Sequence, residues 1–142
     1  MTDTVPPGLM KLSDAGLVFE TPEEDIRGYE VVDSQGEEIG KVDDLMVDAD
    51  EFKVRFINVA SGGFLGIGEK VFLLPVDAID SIEDGQVRVS RSRDDVAAGP
   101  VYDPQMVDRA EYWGKTYDYY GYAPFWGAGY IYPGFGRFPR RP

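Results

Sequence analysis

Two stretches of this 142-residue sequence have residue types and spacing that could do chemistry. Asp43, Asp44, Asp48, Asp50 and Glu51 crowd five carboxylates into nine positions, an oxygen-rich set that a hard cation such as Ca²⁺ could use. The calcium-loop order, D-x-[DN]-x-[DN]-G with a closing Glu, is absent. These side chains therefore read as solvated strand ends and a turn, and neither a metal nor general acid–base catalysis is expected of them. Ser61 to Lys70 is the second stretch, glycine-rich and ending in a lysine, as a phosphate cradle would be. It does not match GxxxxGK[ST], and the strand-like Val71 to Leu74 stands where an anion-binding helix should begin. A loop joining two strands is the plain reading. Its apolar tip, Phe64-Leu65-Gly66-Ile67, is a candidate protein contact at Phe64, Leu65 and Ile67, with folding back over a barrel mouth as the alternative.

Nothing else places a nucleophile beside a base. The chain has no His and no Cys, which removes Ser-His-Asp and Cys-His nucleophiles, His and Cys zinc sites, disulfides and imidazole proton shuttles. Catalytic, cofactor-binding and metal-binding residues are all expected to be none, and the protein is expected not to be an enzyme. Fourteen Lys and Arg against 26 Asp and Glu give a net charge of -12, which repels phosphate backbones, so no nucleic-acid partner is expected. No basic start leads into an apolar run, and no 18 apolar residues stand together, so neither a signal peptide nor a transmembrane segment is expected. A cytoplasmic protein is the expectation, with peripheral membrane contact left open.

The elements that would position these groups are short strands and turns. Arg27 to Val32 is a β-rich run ending in the turn Asp33-Ser34-Gln35-Gly36, and Glu37 to Asp48 resumes with a spacing that calls for a bulge, for which Gly40 is the candidate. These two should pair as a hairpin. In Phe52 to Ala60, Val54 and Phe56 share one face and Ile57 and Val59 the other, a slip of one residue suited to a barrel corner. Val71 to Val76 is apolar on both faces and reads as an internal strand ending near Pro75. Asp77 to Ile82 is a half-exposed link, Glu83-Asp84-Gly85 a turn, and Gln86 to Ser90 an alternating strand. Five or six short strands with regular turn signals indicate an all-β fold, a small antiparallel β-barrel. Ser92 should cap a helical turn that stops at Gly99-Pro100. A second short helix is expected from Asp103, through Met106, Ala110 and Trp113, to Gly114.

Composition then breaks. Residues 1–100 hold 9 basic and 22 acidic side chains, whereas residues 101–142 hold 5 and 4 together with 13 of the 19 aromatics. Three parts follow: a lead over 1–19, a barrel over 20–103 and an aromatic Tyr/Gly/Pro-rich extension over 104–142. Beyond Gly114 the extension carries no period and should be irregular, and mobile unless docked. It has three readings: docking on a protein partner or a second copy, packing as a lid on its own barrel, or a disordered adhesive tail. Its candidate contact residues are Trp113, Tyr119, Tyr120, Tyr122, Phe125, Trp126, Tyr130 and Tyr132. Five cations are too few for it to bind single-stranded nucleic acid by stacking.

The segment Asp25 to Leu45, with Gly28-Tyr29-Glu30-Val31-Val32-Asp33 and Ile39-Gly40-Lys41-Val42, resembles the opening of the PRC-barrel family. Gly63 to Ile79 is similar to the middle of stand-alone bacterial members, and Pro104 to Trp126 to the Tyr-rich extension of some of them. The resemblance implies a compact antiparallel barrel acting as a protein-interaction or regulatory adaptor, self-association included, with a protein partner and no cofactor. A structural or stress-related protein with an adhesive tail is the alternative. The family also contains the barrel of the photosynthetic reaction centre H subunit, so the resemblance admits a soluble accessory of a membrane electron-transfer complex.

Overall fold

The computed structural model describes residues 8–61, 70–135 and 139–141. Among these, seven strands run β1 (Leu9–Lys11), β2 (Glu30–Val32), β3 (Glu38–Asp48), β4 (Val54–Ala60), β5 (Val71–Pro75), β6 (Ile79–Glu83) and β7 (Gln86–Val89). Three helices accompany them: α1 (Leu12–Ala15), α2 (Arg93–Ala97) and α3 (Ala110–Tyr120). The strand order is β5-β4-β3-β2-β7-β6, with β1 beside the far end of β3. Leu9 to Lys11, in the segment expected as a lead, thus belong to the sheet. A single 3₁₀ turn, Val76–Ala78, joins β5 to β6, the two strands at opposite ends of that order. The sheet therefore curls, and residues from β2, β3, β4, β5 and β7 fill one common core that includes Val31, Leu45, Ile57, Leu74 and Val87.

Neighbours pair antiparallel throughout except β2 and β7, which run parallel with Val31 opposite Val87. The expected barrel was antiparallel in every pair. The exception arises because the Val76–Ala78 turn carries the chain from β5 into β6 without reversing it, so β7, antiparallel to β6, runs in the direction of β2. The turn before β3 is the one expected: Gly36 sits at φ +84°, and Asp33 Oδ1 accepts the N–H of Gln35 and Glu37, each at 2.9 Å. Ser92 caps α2 by accepting the N–H of Asp95 at 3.1 Å.

Three bulges in β3 and β4 decide which of their side chains enter the core. Val31 pairs with Gly40 and Val32 with Glu38, leaving Ile39 as an extra residue beside the glycine singled out for a bulge. Gly40 is required for a second reason. A Cβ there would stand 2.2 Å from the Ala60 carbonyl oxygen on β4, inside backbone that cannot yield. Asp43 is the second extra residue, between the Val42–Val59 and Asp44–Asn58 pairs. The third lies in β4, where Val47 pairs with Val54 and Met46 with Phe56, so Arg55 is the residue left over. The period slips as expected, but one position earlier: Val54 joins Ile57 and Val59 in the barrel core, while Phe56 turns outward. A bulge lets two successive side chains leave by the same face, which the slip read from apolar spacing alone could not place.

Gly40→Ala should destabilise the fold by about 2–3 kcal/mol, because the new methyl must displace a paired strand. Chemical denaturation measures it, and a loss below about 0.5 kcal/mol would mean that β3 and β4 do not approach this closely.

Candidate interaction surface

The outward faces of β3, β4 and β5 are apolar too. Met46, Phe56 and Leu73, from three adjacent strands, form a second cluster with Leu9 of β1 and with Trp113, Tyr117 and Phe125 of the extension. This explains why β5 is apolar on both faces: Phe72 and Leu74 enter the barrel, and Leu73 lies under α3.

Helix α3 is longer and later than its expected Asp103 to Gly114. Asp103 begins a turn, accepting the N–H of Gln105 at 3.0 Å, and the helix proper runs from Ala110 through Gly114 to Tyr120. Gly121, at φ +83°, ends it by donating its N–H to the Tyr117 and Asp118 carbonyls. A glycine inside a helix costs about 1 kcal/mol relative to alanine. Packing overrides that here, for Trp113, Thr116, Tyr117 and Tyr120 make a buried stripe at i, i+3, i+4 and i+7. The rings of Trp113 and Tyr117 both lie 4.9 Å from that of Phe56, and Trp113 Nε1–H donates to the Val107 carbonyl at 2.9 Å.

Beyond α3 the chain crosses the barrel as a strap, and Arg55 holds it. Its side chain is 3% exposed, with Nε donating to Asp48 Oδ2 and Nη2 to Glu51 Oε1, each at 2.8 Å. The guanidinium lies 4.2 Å from the ring centre of Phe125 and 5.3 Å from that of Tyr132. Tyr130 donates its hydroxyl to Asp77 Oδ2 at 3.0 Å, and Tyr132 to the Val54 carbonyl at 2.8 Å. Burial pushes the Asp77 carboxyl above its ordinary range despite that hydroxyl. Further on, Arg140 exchanges two backbone hydrogen bonds of 2.7 Å with Val18.

The candidate contact residues are thus distributed unevenly. Trp113, Tyr120 and Phe125 are buried in the chain's own fold, and Tyr122, Trp126, Tyr130 and Tyr132 are half-buried against it. Tyr119 is 45% exposed, its hydroxyl donating to the Asp95 carbonyl at 2.6 Å. Phe64, Leu65 and Ile67 lie outside the described residues. The most exposed large apolar residue described is one that sequence reasoning passed over. Ile131 is 85% exposed, held out between the two anchored tyrosines at 130 and 132. Alternation of Tyr130, Ile131 and Tyr132 was its only signal.

The carboxylates at 43–51 are partly inside the molecule. Asp48 also takes the N–H of Asp50, Glu51 and Lys53, while Asp44 accepts the Ser13 hydroxyl at 2.5 Å and the Leu45 N–H at 2.8 Å. Their oxygens are engaged in organising turns, and among the described residues no three acidic side chains gather as a metal site would need.

The family model described as PRC-barrel domain matches residues 23–96, just over half the chain. The match takes in β2 to β7 and most of α2, and leaves α3 and the strap outside. No curated protein matches the sequence.

Replacing Arg55 by Met should cost about 3 kcal/mol, since it strands the buried Asp48 carboxylate. Arg140→Ala, at a salt bridge to Glu20 whose partners are 57% and 67% exposed, should cost under about 0.5 kcal/mol in the same denaturation series. Equal losses would show that the Arg55 pair does not hold the seam. Alkali gives a second test. Burial raises the phenols of Tyr117, Tyr120, Tyr130 and Tyr132 well above the ordinary value near 10. The folded state keeps them neutral, so their contribution is whole below about pH 10 and is lost as the pH climbs past it. A late-ionising class at 295 nm, coincident with loss of near-ultraviolet dichroism, is expected; a single class titrating near 10 would contradict the burial.

Proposed function

The chain belongs to the PRC-barrel family, a non-catalytic fold known as a protein-interaction module, and from that premise we propose that it is an adaptor or regulatory module whose contact surface includes the strap. Ile131 carries the reading. An isoleucine held 85% exposed, with both neighbours tied down by their hydroxyls, offers apolar area that a partner can cover with little further ordering of the chain. Tyr119, exposed and anchored in the same way, adds a second such point.

The burial of Trp113, Tyr120 and Phe125 favours this over an adhesive tail, because the largest aromatic faces are spent on the chain's own barrel. Self-association through the strap is the competing use of the same surface. Among the described residues no helix is long and apolar enough to cross a membrane.

A photo-crosslinking amino acid placed at position 131 in the full chain, and illuminated in cells of the native host, should give one discrete heavier product. The same amino acid at exposed Glu37 should not. A product containing a second protein supports the adaptor, one of twice the chain's mass supports self-association, and no product from position 131 would remove the strap from the contact surface.

A further inference from the structure

The strand order has two ends, and they are treated differently. At one end the edge of β5 is covered: Leu73 donates its N–H to Pro100 at 3.0 Å, and Tyr102 donates to Val71 at 2.8 Å. At the other end β6 has β7 on one side, and no strand among the described residues on its other side. Beside β6 the strap returns as Pro133-Gly134-Phe135 and leaves a cleft of about 390 Å³, lined by Ile79, Ile82, Pro133 and Phe135 with Asp80 and Ser81 at its polar part. Ile131, the exposed apolar residue, lies two positions before Pro133 in the same strap.

The charge along this edge is mainly negative. Asp80 and Glu83 on β6, and Asp84 in the turn that follows, are exposed and form no ion pair among the described residues. Arg88, opposite Ser81, lines the same hollow as Glu83 and Asp84 while its Nη1 donates to the Asp33 carbonyl at 3.1 Å, so the edge carries three carboxylates against one cation. A cleft walled by Ile79, Ile82, Pro133 and Phe135 with Asp80 in its lining, next to a strand end where Glu83 and Asp84 outnumber Arg88, matches a segment with apolar side chains between lysines or arginines. A second copy would bring the same carboxylates to the same place on a body of net charge -12, and nucleic acid carries the wrong sign.

Backbone geometry says how such a segment would be held. Ile79 pairs with Val89 and Ser81 with Arg88, so Asp80 is a bulged residue in the middle of the edge. A bulge interrupts continuous strand addition and turns the extra side chain outward. Recognition therefore rests on side chains: apolar groups seated in the cleft and cations set against Asp80, Glu83 and Asp84.

We propose that the cleft between β6 and the strap docks an extended basic–apolar segment of a partner protein. This deepens the interaction-module reading and rests on it. Fluorescence anisotropy with the full-length protein and a labelled peptide, Lys-Val-Lys-Ile-Lys-Val, supplies the test, with Glu-Val-Glu-Ile-Glu-Val as its charge-reversed twin. The basic peptide should bind and its twin should not. Asp80→Lys with Glu83→Lys should weaken binding at least tenfold at an unchanged melting profile. Glu37→Lys with Asp50→Lys, the same charge change at exposed positions elsewhere, should weaken it less than threefold. Equal losses in the two double variants would reduce the effect to general attraction by an acidic protein and overturn the proposal, as would no binding of either peptide. A crosslinked partner at position 131 whose yield is unaffected by the Asp80 and Glu83 changes would overturn the cleft while leaving the adaptor reading intact.

Discussion

The organisation outside the barrel core depends on one surplus residue in β4. With Arg55 bulged between Val54 and Phe56, the strand presents Val54, Ile57 and Val59 inward and two consecutive side chains outward. One of these is an aromatic ring that must be covered, and the other is a cation that must be neutralised if it is covered. Removing a charge from water costs several kcal/mol, which only good partners offset. Asp48 and Glu51, at the end of β3 and in the turn that leads back into β4, are those partners, and the rings of Phe125 and Tyr132 close over the guanidinium. A buried ion pair adds little net stability relative to an apolar pair. Its effect is selective, because the strap is compatible with this face only where its aromatic rings meet Arg55.

The break in composition at residue 100 has a corresponding physical meaning. All of the net negative charge lies before it and most aromatic area after it, yet the two parts form one packed body. A curled sheet this small buries its inner face easily and leaves the outer face of β3, β4 and β5 apolar. The extension supplies the missing layer without adding charge. Cutting the sequence at the composition break therefore separates two halves of one apolar cluster, Met46, Phe56 and Leu73 on one side and Trp113, Tyr117 and Phe125 on the other.

Much of the barrel was legible because local chemistry determines it. Asp33 to Gly36 had turn residues in turn positions, β5 had apolar side chains on both faces, and Gly40 stood where the spacing failed. The parallel β2–β7 pair was not legible, since sequence patterns report burial and not strand direction. The stop placed at Gly114 was the main misreading. Trp113, Thr116, Tyr117 and Tyr120 have helical spacing, but Tyr and Gly in a low-complexity run also suit an irregular chain, and the facing sheet decides between them. Arg55 gave no signal, because a lone arginine in a strand looks solvated until its partners in the preceding turn are known. Ile131 stood out only once the tyrosines beside it were seen to be anchored.

The seam between barrel and extension is also where the polar accounting is least complete. Among the described residues, Asn58 Oδ1, Asp77 Oδ1, Arg91 Nε, Tyr117 OH and Tyr120 OH are buried without a hydrogen-bond partner, and each belongs to a residue that meets the other side of the seam or lies under it. Each such atom costs about 1–3 kcal/mol. Apolar burial of Trp113, Tyr117 and Phe125 must exceed that cost for the seam to stay closed. The proposed contact surface lies partly on the strap and partly on β6, so the Arg55 pair that anchors the strap also fixes where that surface stands.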